Sequence, residues 1–252
     1  MDYEVMMNGT VRIGQMAPDF EAVTTFGNIQ LSDYKGKWLV LFSHPGDFTP
    51  VCTTEMIAFS QACSYFKNIN TEILGLSIDS NQSHLAWVFD IYCKTGVKIP
   101  FPIIADRSGE IARKYGMISN SVSNTETVRN VYIIDPNGVI RLILVYPLNV
   151  GRCIPEILRS LTALQTADEN KGATPANWMP YNPIVNPAPT TVCKQEEMID
   201  YINQTQNGMN WYLTFKTPNY TRHSFPPRPS QMYSQRNPRK EENDTLRLYP
   251  VH

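Results

Sequence analysis

Short apolar runs bounded by turn-forming residues predict the strands of this chain. Runs of about four to eight such residues are typical of buried strands. They lie at residues 27–31, 38–43, 71–78, 102–105, 130–134 and 139–146. The last two flank Asp135-Pro136-Asn137-Gly138, and an Asn-Gly pair between two apolar runs is a strong signal for a β-hairpin. We therefore predict a sheet whose last two strands are antiparallel.

Stretches with helical spacing alternate with these runs. We predict helices over residues 49–66, 82–94 and 154–166, and a short helix that ends at Tyr115. Strands that alternate with helices, followed by a hairpin and a last helix, form a mixed central sheet with helices on both faces. The fold class is therefore α/β, and the order of the elements resembles a thioredoxin-like fold.

The composition changes near Gly172, and the chain beyond it contains fewer apolar residues. Residues 175–190 are rich in Pro and Asn, which predicts irregular structure. A short helix is predicted over 196–205, followed by a compact apolar cluster at 210–215 (NWYLTF). This is too little to form an independent core. We divide the chain into a main domain (1–170), an arm (171–220) that packs on the main domain or on a partner subunit, and a flexible polar tail (221–252).

The charge balance argues against nucleic acid and anionic membranes as partners. The chain has 22 Lys and Arg against 23 Asp and Glu, a net charge of -1, and no basic excess that such partners would need. The longest strictly apolar run, 38–42, is too short to cross a bilayer. The first residues, MDYEVMMNGT, lack the basic and then apolar segments of a signal peptide. We therefore expect a cytoplasmic protein.

The cysteines do not form an evident disulfide framework. There are five, at positions 52, 63, 93, 153 and 193, and an odd, widely spaced set is expected to stay reduced in the cytoplasm. No CxxC pair includes Cys52. Cys63 lies eleven residues further along the same predicted helix, roughly 16 Å away and beyond the ~7 Å limit between bridged Cα atoms. We expect Cys93 to be a core thiol.

Cys52 follows a predicted helix start. Thr49 suits the N-cap and Pro50 the first helical position. The free N–H groups and the dipole at that end favour an anion, and the thiolate is the reactive form of cysteine. Glu55 would oppose a thiolate unless an arginine neutralises it. A cysteine early in a helix is also commonly a small buried hydrophobe, so the helix start alone leaves both interpretations open.

The segment that contains Cys52 resembles a known family. Pro45-Gly46-Asp47-Phe48-Thr49-Pro50-Val51-Cys52 matches the P-x-x-x-T-x-x-C signature of the peroxiredoxins. The segments GLSIDS, SHLAW, IPFPIIAD, TVRNVYIIDPNGVIR, YPLNVGR, EILR and PANW are similar to the one-cysteine (sixth) subclass. The resemblance covers about residues 14–218 and is strongest to archaeal members of the thioredoxin-peroxidase type. It implies a thioredoxin-like peroxidase domain with a C-terminal dimerisation arm.

The resemblance implies four catalytic residues. Cys52 is the expected peroxidatic cysteine, which attacks the distal oxygen of a peroxide and becomes a sulfenic acid. Thr49 is expected to hydrogen-bond the peroxide, and Pro45 to shield the site. Arg129, in TVRNV, matches the arginine of the family's active site. Without the resemblance, Arg129 would be interpreted as a surface arginine on a strand.

Three residues are expected to bind substrate by the same resemblance: Arg129, Arg152 in NVGR, and His44. A guanidinium can stabilise the negative charge that develops on the leaving oxygen. Without the resemblance, Arg152 would be interpreted as a surface charge at a helix start and His44 as a structural histidine. No Cys or His pair has the spacing of a zinc site, and we expect no metal and no cofactor.

The sulfenic acid must be reduced by a thiol. Relatives with a long arm carry two cysteines there, but Met209 and Phe215 stand at about those positions in this chain. Either an external thiol, from a thioredoxin-like protein or a small molecule, reduces Cys52, or Cys193 in the arm does so. We favour the external thiol. The resemblance further implies a homodimer, with rings of dimers as a possible assembly.

The residues also allow two other classes of function. A thiol hydrolase would pair Cys52 with a histidine base, but no Asn or Asp orienter is evident. A non-enzymatic chaperone or redox-sensing binding protein would need no ionised Cys52. We expect a thiol-dependent peroxidase that acts on hydrogen peroxide and organic hydroperoxides.

Overall fold

A mixed sheet lies at the centre of the computed structural model, which describes residues 11–219. Within that range the sheet has seven strands in the order β2-β1-β5-β4-β3-β6-β7. The strands are β1 (Glu21–Thr24), β2 (Gly27–Gln30), β3 (Trp38–Ser43), β4 (Thr71–Ser77), β5 (Ile103–Ala105), β6 (Arg129–Ile134) and β7 (Ile140–Tyr146). The pairs β3–β4 and β4–β5 are parallel, whereas β3–β6 and β6–β7 are antiparallel. The predicted mixed sheet and its closing hairpin are confirmed.

Four α-helices of the described residues belong to this domain. They are α1 (Pro50–Asn68), α2 (Asn81–Thr95), α3 (Glu110–Lys114) and α4 (Ile154–Asn170), and a 3-10 turn covers Leu31–Tyr34. Each predicted helix is present, and α4 continues four residues beyond its predicted end. Thr49 is the N-cap residue of α1, but its side chain makes no capping hydrogen bond, whereas α2 has a side-chain cap. Pro50 occupies the first position of α1, and the Ser80 side chain accepts a hydrogen bond from the N–H of Ser83 at the start of α2.

The sheet is covered on both faces, which explains why β3 reads WLVLFS without polar alternation. Every residue of β3 is buried. Trp38, Val40 and Phe42 pack in one core together with residues of α1, α2 and α4. Leu39 and Leu41 pack in a second core on the other face, with residues of α3 and of the N-terminal segment. The carboxyl end of β3 is therefore buried, and the chain continues from it to the start of α1.

One sequence prediction on α2 is wrong. Cys93 was expected in the core, but it is exposed. The buried residues of α2 are His84, Trp87 and Ile91, which recur at spacings of three and four and so share one face. Cys93 lies two residues beyond Ile91, about 200° around the helix axis. The helical period therefore places it on the solvent side.

The arm adds a small second sheet and one helix. Its elements are β8 (Ile184–Val185), α5 (Val192–Thr205), β9 (Gly208–Asn210) and β10 (Leu213–Lys216), and the strand order is β8-β10-β9. Trp178 and Ile184 pack with Ala163 of α4, which attaches the start of the arm to the main domain. The segment 210–215 forms part of a hairpin rather than a compact cluster, and Tyr212 is 56% exposed. The predicted tail, 221–252, lies outside the described residues.

Candidate active site

Cys52 lies in the first turn of α1, below the carboxyl end of β3. Thr49 precedes the helix with an extended backbone (φ -91°, ψ 146°), and Pro50 follows it. The Cys52 side chain is fully buried and packs in the core formed by β3, α1, α2 and α4. Burial removes the thiol from bulk water, so its surroundings determine its chemistry.

Arg129 brings a positive charge to the sulfur. It is the first residue of β6 and is 3% exposed. Its Nη1 donates a hydrogen bond to Cys52 Sγ at 3.3 Å and another to Glu55 Oε2 at 2.8 Å. Its Nε and Nη2 both donate to the carbonyl oxygen of Leu148, at 3.0 and 2.8 Å. The guanidinium is thus held from two sides, and one edge is directed at the sulfur.

Glu55 lies one helical turn beyond Cys52 and binds a second buried arginine, Arg152. The Nε and backbone N of Arg152 donate to Glu55 Oε1 at 2.9 and 2.8 Å, and its Nη2 donates to Oε2 at 2.6 Å. Burial would raise the pKa of Glu55, but the hydrogen bonds and charge of Arg152 outweigh it and hold that pKa below its usual value. Glu55 is therefore a carboxylate at neutral pH.

Further contacts fix the position of Arg152. Its Nη1 donates to the carbonyl oxygens of Ser43 and Asn130, at 2.9 and 3.0 Å. The guanidinium lies 4.9 Å from the ring centroid of Phe42 and 5.7 Å from that of Phe59, within the range of cation–π attraction. Arg152 is thus a buried site residue and not a surface charge at a helix start.

The three buried ionic groups leave room for one more negative charge. Arg129 and Arg152 are cations and Glu55 is an anion, so the group carries one net positive charge. An isolated charge in a protein interior is costly unless it is paired. An anion held beside Arg129 Nη1, on the side of Cys52, would neutralise the excess. Glu55 orients both arginines and cancels only one of their two positive charges.

The loop before α1 carries the other predicted residues. Pro45 is buried and Thr49 is half-buried. Thr49 Oγ1 donates to the carbonyl oxygen of Gly46 at 2.9 Å, and its own carbonyl accepts from the N–H and the hydroxyl of Thr53. Thr49 and Pro45 thus lie in the loop that leads to Cys52, and Arg129 of β6 contacts the Cys52 sulfur.

His44 contacts Asp47, His84 and Trp87, none of which the sequence predicted as a site residue. Its Nε2 lies 3.0 Å from Asp47 Oδ1, its ring is 5.2 Å from that of Trp87 and 5.9 Å from that of His84, and it is completely buried. His84 in turn contacts the same Asp47 carboxylate. A signal was available, since SHLAW places His84 one turn into a capped helix and three residues before Trp87, on its buried face.

The other cysteines differ from Cys52 in their surroundings. Cys63 is buried, and burial raises the pKa of its thiol, which suppresses its reactive form. Cys93, Cys153 and Cys193 are exposed. Cys193 lies in the first turn of α5, with its Sγ 3.7 Å from Glu197 Oε1. Met209, at one of the positions where relatives carry an arm cysteine, is 82% exposed.

Comparison with known proteins identifies the family. The model of the AhpC/TSA family matches residues 13–143, and that of the C-terminal domain of 1-Cys peroxiredoxin matches residues 163–200. Peroxiredoxin 2 of Caldanaerobacter subterraneus subsp. tengcongensis is 54% identical over 205 residues, which cover 81% of this chain and 92% of that protein. The chain belongs to the peroxiredoxin family. It is therefore a thiol-dependent peroxidase, as the sequence predicted.

Other relatives agree with this assignment. Peroxiredoxin 2 of Sulfurisphaera tokodaii is 50% identical over 209 residues, 81% of this chain and 95% of that protein. Peroxiredoxin 6 of Arenicola marina superposes with a TM-score of 0.73 at 33% identity, covering 84% of this chain and all of that one. A yeast mitochondrial 1-Cys peroxiredoxin superposes with a TM-score of 0.72 at 38% identity, covering 83% and 100%. The predicted one-cysteine subclass and thioredoxin-like fold are confirmed.

Proposed function

We propose that Cys52 is the residue of this peroxiredoxin that attacks the peroxide. Its thiolate sulfur forms a bond to the distal oxygen, the O–O bond breaks, and the leaving oxygen takes the electron pair and a proton to become water or an alcohol. Cys52 is left as a sulfenic acid. The observation that supports this role is the hydrogen bond from Arg129 Nη1 to Cys52 Sγ, 3.3 Å long, within a buried site.

Arg129 and Arg152 are proposed to stabilise the transition state and to bind the substrate. Negative charge moves from the sulfur to the leaving oxygen during the reaction. Fixed donors in a buried site stabilise such charge well, because they need no reorganisation. The contacts of Arg129 with Leu148 and of Arg152 with Ser43 and Asn130 would hold both guanidinium groups in place throughout.

Thr49, Pro45 and His44 complete the proposed site. Thr49 would turn its hydroxyl from the carbonyl of Gly46 to the bound peroxide, which needs only a rotation about χ1. Pro45 is a buried neighbour that would keep water from the sulfur. His44 is assigned to substrate binding because it flanks the loop on the side of Trp87. The Nε1 of Trp87 donates a hydrogen bond to Thr53, the residue after Cys52.

The first test is peroxide consumption by matched cysteine variants. Cys52→Ser removes the nucleophile and is expected to abolish reduction of hydrogen peroxide and of an organic hydroperoxide in the presence of excess thiol. Cys193→Ser, at an exposed position, is the control and is expected to retain the wild-type rate. Equal activity of wild type and Cys52→Ser would contradict the assignment of Cys52.

An external thiol is proposed as the reductant. Cys193 lies on α5, a helix without a fully buried residue, and the yeast relative was studied for a thiol resolving mechanism via glutathione/thioredoxin systems. After one equivalent of peroxide, intact mass should show a gain of about 16 Da and a dimedone adduct at Cys52, as a persistent sulfenic acid requires. A Cys52–Cys193 disulfide in the wild type would instead identify Cys193 as the resolving residue.

We further propose that the arm, residues 171–220, is a unit distinct from the main domain. The protein would form a homodimer through this arm. The arm exposes several large apolar side chains: Val192, Ile199, Met209 and Tyr212, with exposures of 71%, 42%, 82% and 56%. Exposed apolar groups of this kind favour association. Ile199→Asp is expected to lower the mass found by light scattering, and Glu196→Gln, at a polar exposed position of the same helix, to leave it unchanged.

A cytoplasmic location remains a prediction that depends on the odd, widely spaced set of cysteines. Among residues 11–219, no helix is long and apolar enough to span a membrane. Cell fractionation with a compartment marker tests the location.

A further inference from the structure

A buried hydrogen-bonded group of two histidines and an aspartate adjoins the active-site loop. His44 Nε2 lies 3.0 Å from Asp47 Oδ1, and His84 Nδ1 lies 2.8 Å from Asp47 Oδ2 and 3.0 Å from Oδ1. The other ring nitrogen of His84, Nε2, lies 3.1 Å from the carbonyl oxygen of Ile104. The three side chains are 1% exposed or less. Solvent therefore cannot supply alternative partners.

The partners determine where the protons lie. Burial would raise the pKa of Asp47, but the hydrogen bonds of His44 and His84 hold it well below its usual range, so Asp47 is a carboxylate. Carboxylate and carbonyl oxygens accept hydrogen bonds and cannot donate them. Both ring nitrogens of His84 face such acceptors, so the geometry favours a proton on each of them. The same reasoning places a proton on Nε2 of His44.

The second nitrogen of His44 is different. Within the described part of the chain, Nδ1 of His44 is buried and has no hydrogen-bond partner. A proton there would leave an unsatisfied N–H and a second cation beside His84. The Asp79 carboxylate acts in the opposite direction but does not outweigh burial. Burial also lowers the pKa of His44, despite its contact with Asp47. His44 is therefore neutral, with its lone pair on Nδ1.

We propose that His84 is a buried imidazolium that, through Asp47, fixes the tautomer of His44 and the conformation of the loop that carries Thr49. His84 and Asp47 would be positioning residues, since neither touches Cys52 in the contacts described above. The part that concerns Thr49 rests on the proposed function, whereas the protonation of His84 stands independently of it.

Asp47 holds the loop in place through both its side chain and its backbone N–H. The N–H of Asp47 donates to Asp79 Oδ2 at 3.0 Å, while its carboxylate is held by α2 through His84. The next residue, Phe48, has a φ of 56°, a left-handed conformation that is uncommon for a large side chain. Thr49 follows and bonds back to Gly46. Contacts on both sides of Phe48 therefore maintain a conformation that the residue would not adopt by itself.

The proton assigned to His84 could instead lie on Asp47, within the same hydrogen-bonded group. If the proton lay on Asp47 instead of His84, the hydrogen bonds could persist with a neutral pair. Histidine is the stronger base by about 2.5 pKa units in water, and the carboxylate here accepts from two rings, which favours its ionised form. The net charge of the His84–Asp47 pair is zero in both cases, and direct observation of the ring nitrogens distinguishes the two proton positions.

The test is nitrogen NMR of protein labelled with 15N-histidine. The chain has only four histidines, at positions 44, 84, 223 and 252, so His44→Gln and His84→Gln assign the two signals, and His223→Gln is the control. At about pH 8, where an ordinary histidine is neutral, we expect His84 to show two protonated ring nitrogens and His44 only one, at Nε2. A singly protonated His84 in the wild type would overturn the inference.

Two variants of Asp47 separate charge from position. Asp47→Asn keeps an oxygen for His44 and offers an amide N–H to Nδ1 of His84, so it should hold the loop while His84 becomes neutral. Its rate of reaction with peroxide should stay close to that of the wild type. Asp47→Ala removes both contacts and should slow that reaction by ~100-fold, the effect of a displacement of about 1 Å in a catalytic group.

The outcomes distinguish this inference from the proposed function. A folded Asp47→Ala with wild-type reactivity would contradict the positioning role. If that variant does not fold, the wild-type NMR measurement still decides the protonation of His84. Because His44, Asp47 and His84 are also close enough to hold a metal ion, the spectrum is repeated after EDTA treatment, and a change in the His84 signals would show a bound cation in place of the proton. An active Cys52→Ser would refute the proposed function and leave the NMR result unaffected.

Discussion

Replacement of Glu55 by Gln tests whether the buried ion group supports the fold as well as the site. Glu55 accepts four hydrogen bonds from two arginines, with lengths from 2.6 to 2.9 Å, and is 3% exposed. Glutamine fills a similar volume, but it carries no charge and turns an NH2 group towards arginine donors. Two buried guanidinium groups would then lack their counter-ion. Breaking a buried pair in this way costs about 3–5 kcal/mol.

The matched control is Glu72→Gln. Glu72 pairs with Lys37 at 2.7 Å, but the two side chains are 33% and 49% exposed. Surface pairs contribute about 0–1 kcal/mol, because water screens them. Both variants remove one negative charge from an ion pair, so the comparison isolates the effect of burial.

The assay is urea unfolding followed by tryptophan fluorescence, at one protein concentration and with the cysteines reduced. We expect the free energy of unfolding to fall by about 3–5 kcal/mol for Glu55→Gln and by less than about 1 kcal/mol for Glu72→Gln. Equal and small effects of the two variants would refute the reasoning.

The pH dependence of the Glu55 effect has a defined sign. The pKa of Glu55 in the folded protein is below its usual value of 4.5. The stabilisation is therefore complete above that value and is lost as the pH falls through the lower, folded-state pKa. The difference between wild type and Glu55→Gln should be constant from about pH 8 to about pH 6 and should shrink below about pH 4.

Three further predictions concern single residues. Arg129→Met should lower the second-order rate constant with peroxide by about 10²–10³-fold, because it removes a fixed donor to the reacting sulfur. Stopped-flow measurement of peroxide consumption tests this, and a change below about threefold would contradict the role of Arg129. Ser80→Ala removes the side-chain cap of α2 and should reduce the free energy of unfolding by about 1 kcal/mol, which thermal or urea unfolding measures. In the native protein a thiol reagent should label exposed Cys93 quickly and buried Cys63 only after unfolding, and mass spectrometry of the labelled peptides shows whether that order holds.

Much of the fold was predictable because it depends on local pattern. The strand at 38–43 matches β3 in full, and the Asn-Gly turn predicted the β6–β7 hairpin. The wrong prediction for Cys93 also concerns a local pattern, the helical period of α2. Cysteine is commonly buried, but Cys93 lies two residues from Ile91, and the helical period turns that position away from the core.

The arm was less predictable because its residues depend on distant contacts. Trp178 packs against Ala163 and Ile184, and nothing in the local Pro- and Asn-rich composition indicates which surface it meets. The helix α5 begins at Val192, four residues before its predicted start, since Thr191 caps it by accepting from the N–H of Lys194. A cap can be recognised in a sequence, but competing turn residues nearby obscure it.

The sequence by itself determined that Cys52 stands in the first turn of a helix, behind Thr49 and Pro50, and that the chain resembles the peroxiredoxins. These features depend on residues close together in the chain, where helix geometry fixes their relation. Only the tertiary structure decided how Arg129 and Arg152 are used. Residues 52, 55, 129 and 152 meet because β6 pairs with β3 and the loop before α4 returns to the start of α1. Sequence spacing cannot show that Glu55 binds both arginines, nor that Asp47 joins two histidines 40 positions apart, because those contacts arise from the packing of separate elements.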